Sequence, residues 1–371
     1  MVEELRLASE TQDVGVLSAR RLQSAKRNLF LQVSALRSRT LDSVAHAFFG
    51  VRYRFPDAQP RRFGLSLERD VVYGPTDRTE HKLDVYAPAS RAAGPLPVVM
   101  YVHGGAFAML SKETHRVMAF AIASRGYVTF NVNYRLGPRH LYPAPLEDVA
   151  TALLWVRAHA AEYGGDPERI VIAGESAGGN LVTALAVMSA YPRPEPFARA
   201  IYEARVPLRA VIATYPILDL SDVPRMMQSR KLPGWAKTLT LDAAVSYLGA
   251  HYAEAIDRAP LASPLLLLEH GQPSRPLPPF FVSCGTRDPL LAHARRLDAA
   301  LERLGVDHEL CISPGEIHGF DAMLWRPAAR AKWKAAHAFL ARTTASGARG
   351  AAAADRDGDG GRDFLPEHQA P

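Results

Sequence analysis

The stretch VIAGESAGGN, residues 171–180, sets one serine among small residues directly after a β-branched run. Gly174 and Gly178 stand two residues either side of Ser176, giving G-x-S-x-G; the apolar RIVIA before it predicts a buried strand and NLVTALAVM after it predicts a helix. A strand that turns straight into a helix holds its central residue in a strained backbone conformation that only small neighbours allow, and lifts the hydroxyl off the end of the sheet. Such a turn is a nucleophile elbow. The same five residues also suit a glycine-rich turn with an incidental serine, so the rest of the chain has to decide.

Outward from the elbow, strand-like and helix-like stretches alternate from about residue 67: LERDVVY, HKLDVYAP, LPVVMYVHGG, YVTFNVNY, RIVIAGES, RAVIATYP, PFFVSCGT and HELCIS. Most are nearly continuous apolar runs, as expected of strands covered on both faces. Helical patterns lie between them near 112–125, 146–163, 177–191, 289–305 and 328–343. This alternation predicts an α/β fold with a mostly parallel eight-stranded sheet flanked by helices, binding its ligand outside the carboxyl ends of the strands.

Two stretches break the pattern. Residues 1–66 carry Leu22, Leu29, Phe30, Val33 and Leu36 at helical spacing among many arginines, and 217–270 is Pro-rich with Met226, Met227, Trp235, Leu239, Tyr247 and Tyr252. Both are expected as helices of a cap over the sheet's top edge, leaving 67–344 as the catalytic domain with 217–270 as its cap insertion. The rival for the first stretch, an amphipathic membrane-surface helix, is disfavoured by basic residues spread around the wheel. Residues 345–371, low in apolar residues and rich in Gly, Ala and Asp, are expected to be a disordered tail. Within it Asp355, Asp357, Asp359 and Gly360 match the opening of a calcium loop, but Pro366 stands where the bidentate glutamate belongs, so no metal is expected.

The composition narrows the partners. Forty-four Lys and Arg are scattered among 38 Asp and Glu for a net charge of +6, which predicts no nucleic-acid site. The start, MVEELRLASE, has two acids near its beginning and no apolar core, and no run approaches the roughly 18 apolar residues that span a bilayer; the expectation is a cytoplasmic protein without stable membrane insertion. Cys284 and Cys311 both fall in predicted core strands and read as reduced, buried thiols.

A serine hydroxyl needs a base, an acid to orient that base, and donors for the oxyanion formed on attack. Upstream, VVMYVHGGAFAM ends a strand in His103-Gly104-Gly105-Ala106; the amides of Gly104 and Gly105, with that of Ala177, are the expected oxyanion hole. Downstream, Asp288 lies just past one core strand and His318 in the loop after the next, between Gly315 and Gly319. The order Ser176, Asp288, His318 is the one that hydrolases of this architecture use. Among 13 histidines, His293 and His337 fall inside helices and His308 begins a strand; Asp298 is mid-helix and Asp307 precedes its strand. Those are packing or surface positions.

Taken in order, HGGAF, NYRLGPRHLYPAPLEDV, GGDPERIVIAGESAGGNL, GTRDPL and HGF resemble the hormone-sensitive-lipase-like group of α/β-hydrolases, the bacterial family IV esterases, over about residues 67–343. The resemblance implies the α/β-hydrolase fold with a helical cap, hydrolysis of short- to medium-chain carboxylic esters through an acyl-enzyme on Ser176, no cofactor or metal, a small-molecule ester as partner, and often a homodimer. The same triad would also serve an amidase or deacetylase, and some relatives of this fold are non-catalytic binding proteins that have lost the serine or histidine. Departures fall around the triad. Glu175 replaces the usual Asp or Thr before the serine, Gly137-Pro138-Arg139 replaces Ala-Pro-Glu, and Ala292-His293 follows DPL where an acid is usual. Glu175 is expected to pair with Arg135, and His103 to support the hole from behind.

Overall fold

The computed structural model describes residues 36–51, 59–90, 94–230 and 232–345, with Val33 and Tyr53. The expected disordered tail beyond Ala345, its calcium-loop resemblance, and the predicted cap positions Leu22, Leu29 and Phe30 lie outside the described residues.

All eight predicted strands form: β1 (Leu65–Val72), β2 (Lys82–Pro88), β3 (Leu96–Val102), β4 (Val128–Val132), β5 (Gly165–Glu175), β6 (Leu208–Thr214), β7 (Phe280–Gly285) and β8 (His308–Ser313). They make one sheet in the order β1-β2-β4-β3-β5-β6-β7-β8. β1 and β2 run antiparallel to their neighbours, and every pairing from β4 to β8 is parallel. The antiparallel end is the exposed one: β1 carries Glu68, Arg69 and Asp70 with a register shift after Glu68, a charged and irregular edge that discourages pairing with another chain.

The central strands are apolar throughout because both of their faces are covered. Along β3 and β5, Val98, Met100, Val102, Ile170 and Ile172 point to one face and Val99, Tyr101, Val171 and Ala173 to the other, the period of two that a strand imposes. The first face is packed by α3 (Ala144–His159), α4 (Ala177–Ala190) and α10 (Leu291–Arg303), the second by α2 (Arg116–Ala123) and α11 (Pro327–Thr344). Cys284 belongs to the first face and Cys311 to the second, which keeps both thiols free on opposite sides of the sheet. Cys311 is only half-buried.

A short helix α5 (Pro196–Ala204), absent from the sequence reading, follows α4. Between β6 and β7 stand α6 (Val223–Gln228), α7 (Gly234–Leu248), α8 (Tyr252–Ala255) and α9 (Pro264–His270). An N-terminal helix, α1, spans 36–51. Phe107, in the loop after β3, stacks on Tyr247 of α7 with ring centroids 3.9 Å apart, so this inter-strand segment rests directly on that loop. Among the described residues no helix is long and apolar enough to cross a membrane, and no group of three or more His, Cys, Asp or Glu could hold a metal ion.

Candidate active site

Strand order places the site. β3 lies between β4 and β5, so successive connections leave it in opposite directions and a crevice opens at its carboxyl end. The loops after β3 and β5 meet there.

Ser176 occupies the turn from β5 into α4 with φ 54° and ψ −114°, a conformation that L side chains rarely adopt. Its amide donates to the Thr214 carbonyl at 2.9 Å, and its carbonyl accepts from the Asn180 and Ile217 amides at 3.1 and 3.2 Å. The flanking glycines make the turn possible: a Cβ on Gly178 would lie 2.0 Å from the Val102 carbonyl oxygen, and one on Gly174 would lie 2.6 Å from the Gly178 backbone. The Asn180 side chain donates to the Ile217 and Ala262 carbonyls, at 2.7 and 2.9 Å, and ties the elbow helix to both of those segments.

The loop after β8 brings His318 to the serine. Its Nε2 lies 3.1 Å from Ser176 Oγ and its Nδ1 2.9 Å from Asp288 Oδ2. Asp288 is fully buried at its side chain, and its other oxygen accepts from the Leu290 amide at 2.8 Å, which fixes the carboxylate's orientation. Burial works against the imidazolium of His318, but the Asp288 carboxylate more than offsets it, and the pKa lies above the ordinary 6.5. The structure therefore brings Asp288, His318 and Ser176, expected together from the sequence, into one hydrogen-bonded line.

Tyr215, which the sequence reading missed, packs its ring 4.5 Å from that of His318. Its hydroxyl donates to Asp321 at 2.5 Å, and Asp321 accepts from the buried Lys332 at 2.9 Å. This network holds Tyr215 behind the imidazole. Its position just past the end of β6 was the available signal, since strand ends in such a sheet are where ligand-facing residues gather.

Two expectations are corrected. The Gly104 amide points at Glu175 Oε1, 2.7 Å away, and so has no proton free for an oxyanion. The amides of Gly105 and Ala106 have no protein acceptor among the described residues, and Ala177, as the first residue of α4, has no intrahelical partner for its own. Gly105 and Ala106 both have positive φ, 109° and 53°, which turns the loop back over the elbow. The geometry thus offers Gly105, Ala106 and Ala177.

The second correction concerns Glu175. Arg135 does not reach it; Arg135 grips Asp148 of α3, with Nη2–Oδ1 2.7 Å and Nε within 2.9 Å of both carboxylate oxygens. The cause is topological: Arg135 follows β4, and β3 stands between β4 and the strand bearing Glu175. Glu175 instead pairs with His115 Nε2 at 2.7 Å. Burial of His115 opposes its charge, yet the Glu175 carboxylate prevails and raises its pKa above 6.5. His103 stacks on Tyr134 with centroids 4.5 Å apart and donates from Nδ1 to the Gly104 carbonyl at 2.7 Å. Burial pulls its pKa down to about 3, so it stays neutral.

The profile of the α/β-hydrolase fold family matches residues 99–322, a span that includes the β3 loop, the elbow, Asp288 and His318. The chain belongs to that family. Within it the motifs place this hydrolase in the hormone-sensitive-lipase-like group. It is 34% identical over 229 residues to the carboxylesterase NlhH of Mycobacterium tuberculosis, covering 61% of this chain and 66% of that one. It is 30% identical over 256 residues to the versiconal hemiacetal acetate esterase of Dothistroma septosporum, covering 68% and 74%. Among solved structures, a bacterial heroin esterase superposes with a TM-score of 0.70 at 26% identity, over 84% of this chain and 93% of that one. The chain spans less than two thirds of the length of several mycobacterial relatives, 59% for the esterase LipQ.

Proposed function

We propose that this hydrolase is a serine carboxylesterase acting on short- to medium-chain acyl esters. The observation that carries the reading is the unbroken line from Asp288 through His318 to a serine held at φ 54°. In this reading Ser176 Oγ attacks the acyl carbon while His318 Nε2 takes its proton, and Asp288 stabilises the imidazolium. The oxyanion settles against the amides of Gly105, Ala106 and Ala177. His318 then returns the proton to the departing alcohol, and water, activated by the same imidazole, hydrolyses the acyl-enzyme. Helix α1 and the α6–α9 segment act as the cap that sizes the substrate; the Phe107–Tyr247 stack supports this, since it joins α7 to the oxyanion loop. The names of the esterase relatives favour esters over amides.

The test is steady-state hydrolysis of p-nitrophenyl esters from acetate to palmitate, with Ser176→Ala in parallel and labelling by a fluorophosphonate probe. The expected result is a maximum at short or medium chains, a loss of about six orders of magnitude in kcat in the variant, and labelling only when Ser176 is present. A folded protein that hydrolyses amides but no ester would replace this reading with an amidase. One that neither turns over nor labels would replace it with a binding protein.

A further inference from the structure

Helix α1 is amphipathic in the reverse of the usual sense. At 3.6 residues per turn, Ser38, Asp42, His46 and Phe49 fall within an arc of about 80° and face the body of the protein. Asp42 accepts from the Leu110 amide at 2.7 Å, His46 Nε2 meets Ser111 Oγ at 2.8 Å, and Ser38 is buried. Arg37 lies on the opposite arc, yet its guanidinium turns back to donate to Asp242 of α7. That arc, about 140° wide, also carries Leu36, Leu41, Val44, Phe48 and Val51, and all five are half or more exposed, Leu36 at 67% and Phe48 at 65%. A row of five large apolar side chains along one face is more than the scattered exposure ordinary on a monomer and marks a surface that is covered in use.

The charge of the surrounding sequence says by what. Residues 17–62 contain ten Lys and Arg against two Asp and Glu, whereas the whole chain is only +6, so the remainder is net acidic. Arg39, Arg61 and Arg62 are exposed. A second copy docking by two-fold symmetry would repeat the same excess of Lys and Arg and bring no acidic complement to it. The exposed row favours the membrane-surface reading that the spread of basic residues disfavoured in the sequence: an anionic lipid surface takes the apolar row into the boundary of its acyl chains and attracts the exposed Arg39, Arg61 and Arg62 to its headgroups. We propose that the outer face of α1 is a docking surface for an anionic phospholipid bilayer, with the helix lying in the interface plane. The same helix holds the loop after β3 through Leu110 and Ser111, so the docked face and the elbow crevice are joined by one short segment. The inference does not depend on the esterase reading, because binding is measured without turnover.

The experiment is flotation of the full chain with vesicles of phosphatidylcholine, alone or mixed with phosphatidylglycerol, at low and high salt. It is repeated for Val44→Ser/Phe48→Ser, whose fold is checked by its circular-dichroism melting curve, and light scattering gives the mass of both proteins. The expected result is binding to the mixed vesicles that weakens with salt and without phosphatidylglycerol, and falls about tenfold or more in the variant while its melting curve is kept. Three results would each overturn the proposal: a full chain that does not float with any vesicle, a folded variant that floats as well as the parent, or a dimer that the variant splits with no flotation.

Discussion

Consecutive residues of the elbow each meet an imidazole–carboxylate pair, and the two pairs do different work. At Ser176 the pair is His318 with Asp288, 2.9 Å apart; at Glu175 it is His115 with Glu175 itself, 2.7 Å apart. In both, burial opposes the charged imidazole and the carboxylate wins, raising the histidine's pKa. What separates them is the second nitrogen. His318 turns its free Nε2 to a hydroxyl beside the crevice, whereas His115 spends Nδ1 on the Ser111 carbonyl and the Thr114 hydroxyl, inside a closed loop. The first pair can pass a proton on. The second can only hold: its Glu175 clamps the Gly104 amide and so fixes the start of the oxyanion loop. A histidine–carboxylate pair is thus a base or a brace according to what its outer nitrogen touches.

Substitutions that treat the pairs alike should expose the difference. Asp288→Asn should lower kcat about 10⁴-fold and, because it too removes the counter-charge of a buried histidine, lower the melting temperature as well. Because activity needs neutral His318, the acidic limb of kcat/KM lies above pH 6.5 in the parent and should move down when the carboxylate is lost. A kcat/KM–pH profile of the residual activity reads this, and an unmoved limb would mean that Asp288 does not set the base.

Glu175→Gln should differ in kcat, which falls tenfold or less, while about 3 kcal/mol of stability is lost because His115 is left buried without its counter-charge. The sign with pH follows from the raised folded pKa: the pair's contribution is complete below about 6.5 and fades as pH rises through the higher folded value. The melting difference between parent and variant should therefore shrink toward alkaline pH. A variant with unchanged melting and a 10⁴-fold slower kcat would make the brace a second catalytic pair and end the distinction.

The effect smallest at neutral pH belongs to His103, which has no carboxylate partner. Its folded pKa of about 3 means that stability is complete above 6.5 and is lost as pH falls toward 3, at about 1.4 kcal/mol per pH unit. Urea unfolding of His103→Asn between those limits should give a correspondingly flatter slope, and an identical slope would show that another group titrates there.

The strands, the elbow turn and the contact of Ser176, His318 and Asp288 were legible in the sequence, because each is announced by local pattern: continuous apolar runs, glycines at fixed offsets, and polar residues just past strand ends. It did not carry lateral order. That β3 lies between β4 and β5 decides that Glu175 meets the loop after β3 and not Arg135, and nothing in either segment's composition encodes it. The Gly104 amide was misassigned for the same reason, since only the Glu175 contact distinguishes it from its neighbours. His115 was hidden among thirteen histidines with no flanking motif, and α5, though Phe197, Ile201 and Ala204 form an apolar face, is only nine residues long, too short a window for that face to stand out from a connection.

Asn180 has a consequence for how such a protein can change. One side chain grips the Ile217 and Ala262 carbonyls, the two roots of the segment that holds α6 to α8. With both roots pinned to the elbow helix, insertions or deletions between them leave the backbone of Ser176 anchored, and only changes that reach Tyr247 are passed on, through Phe107, to the loop after β3.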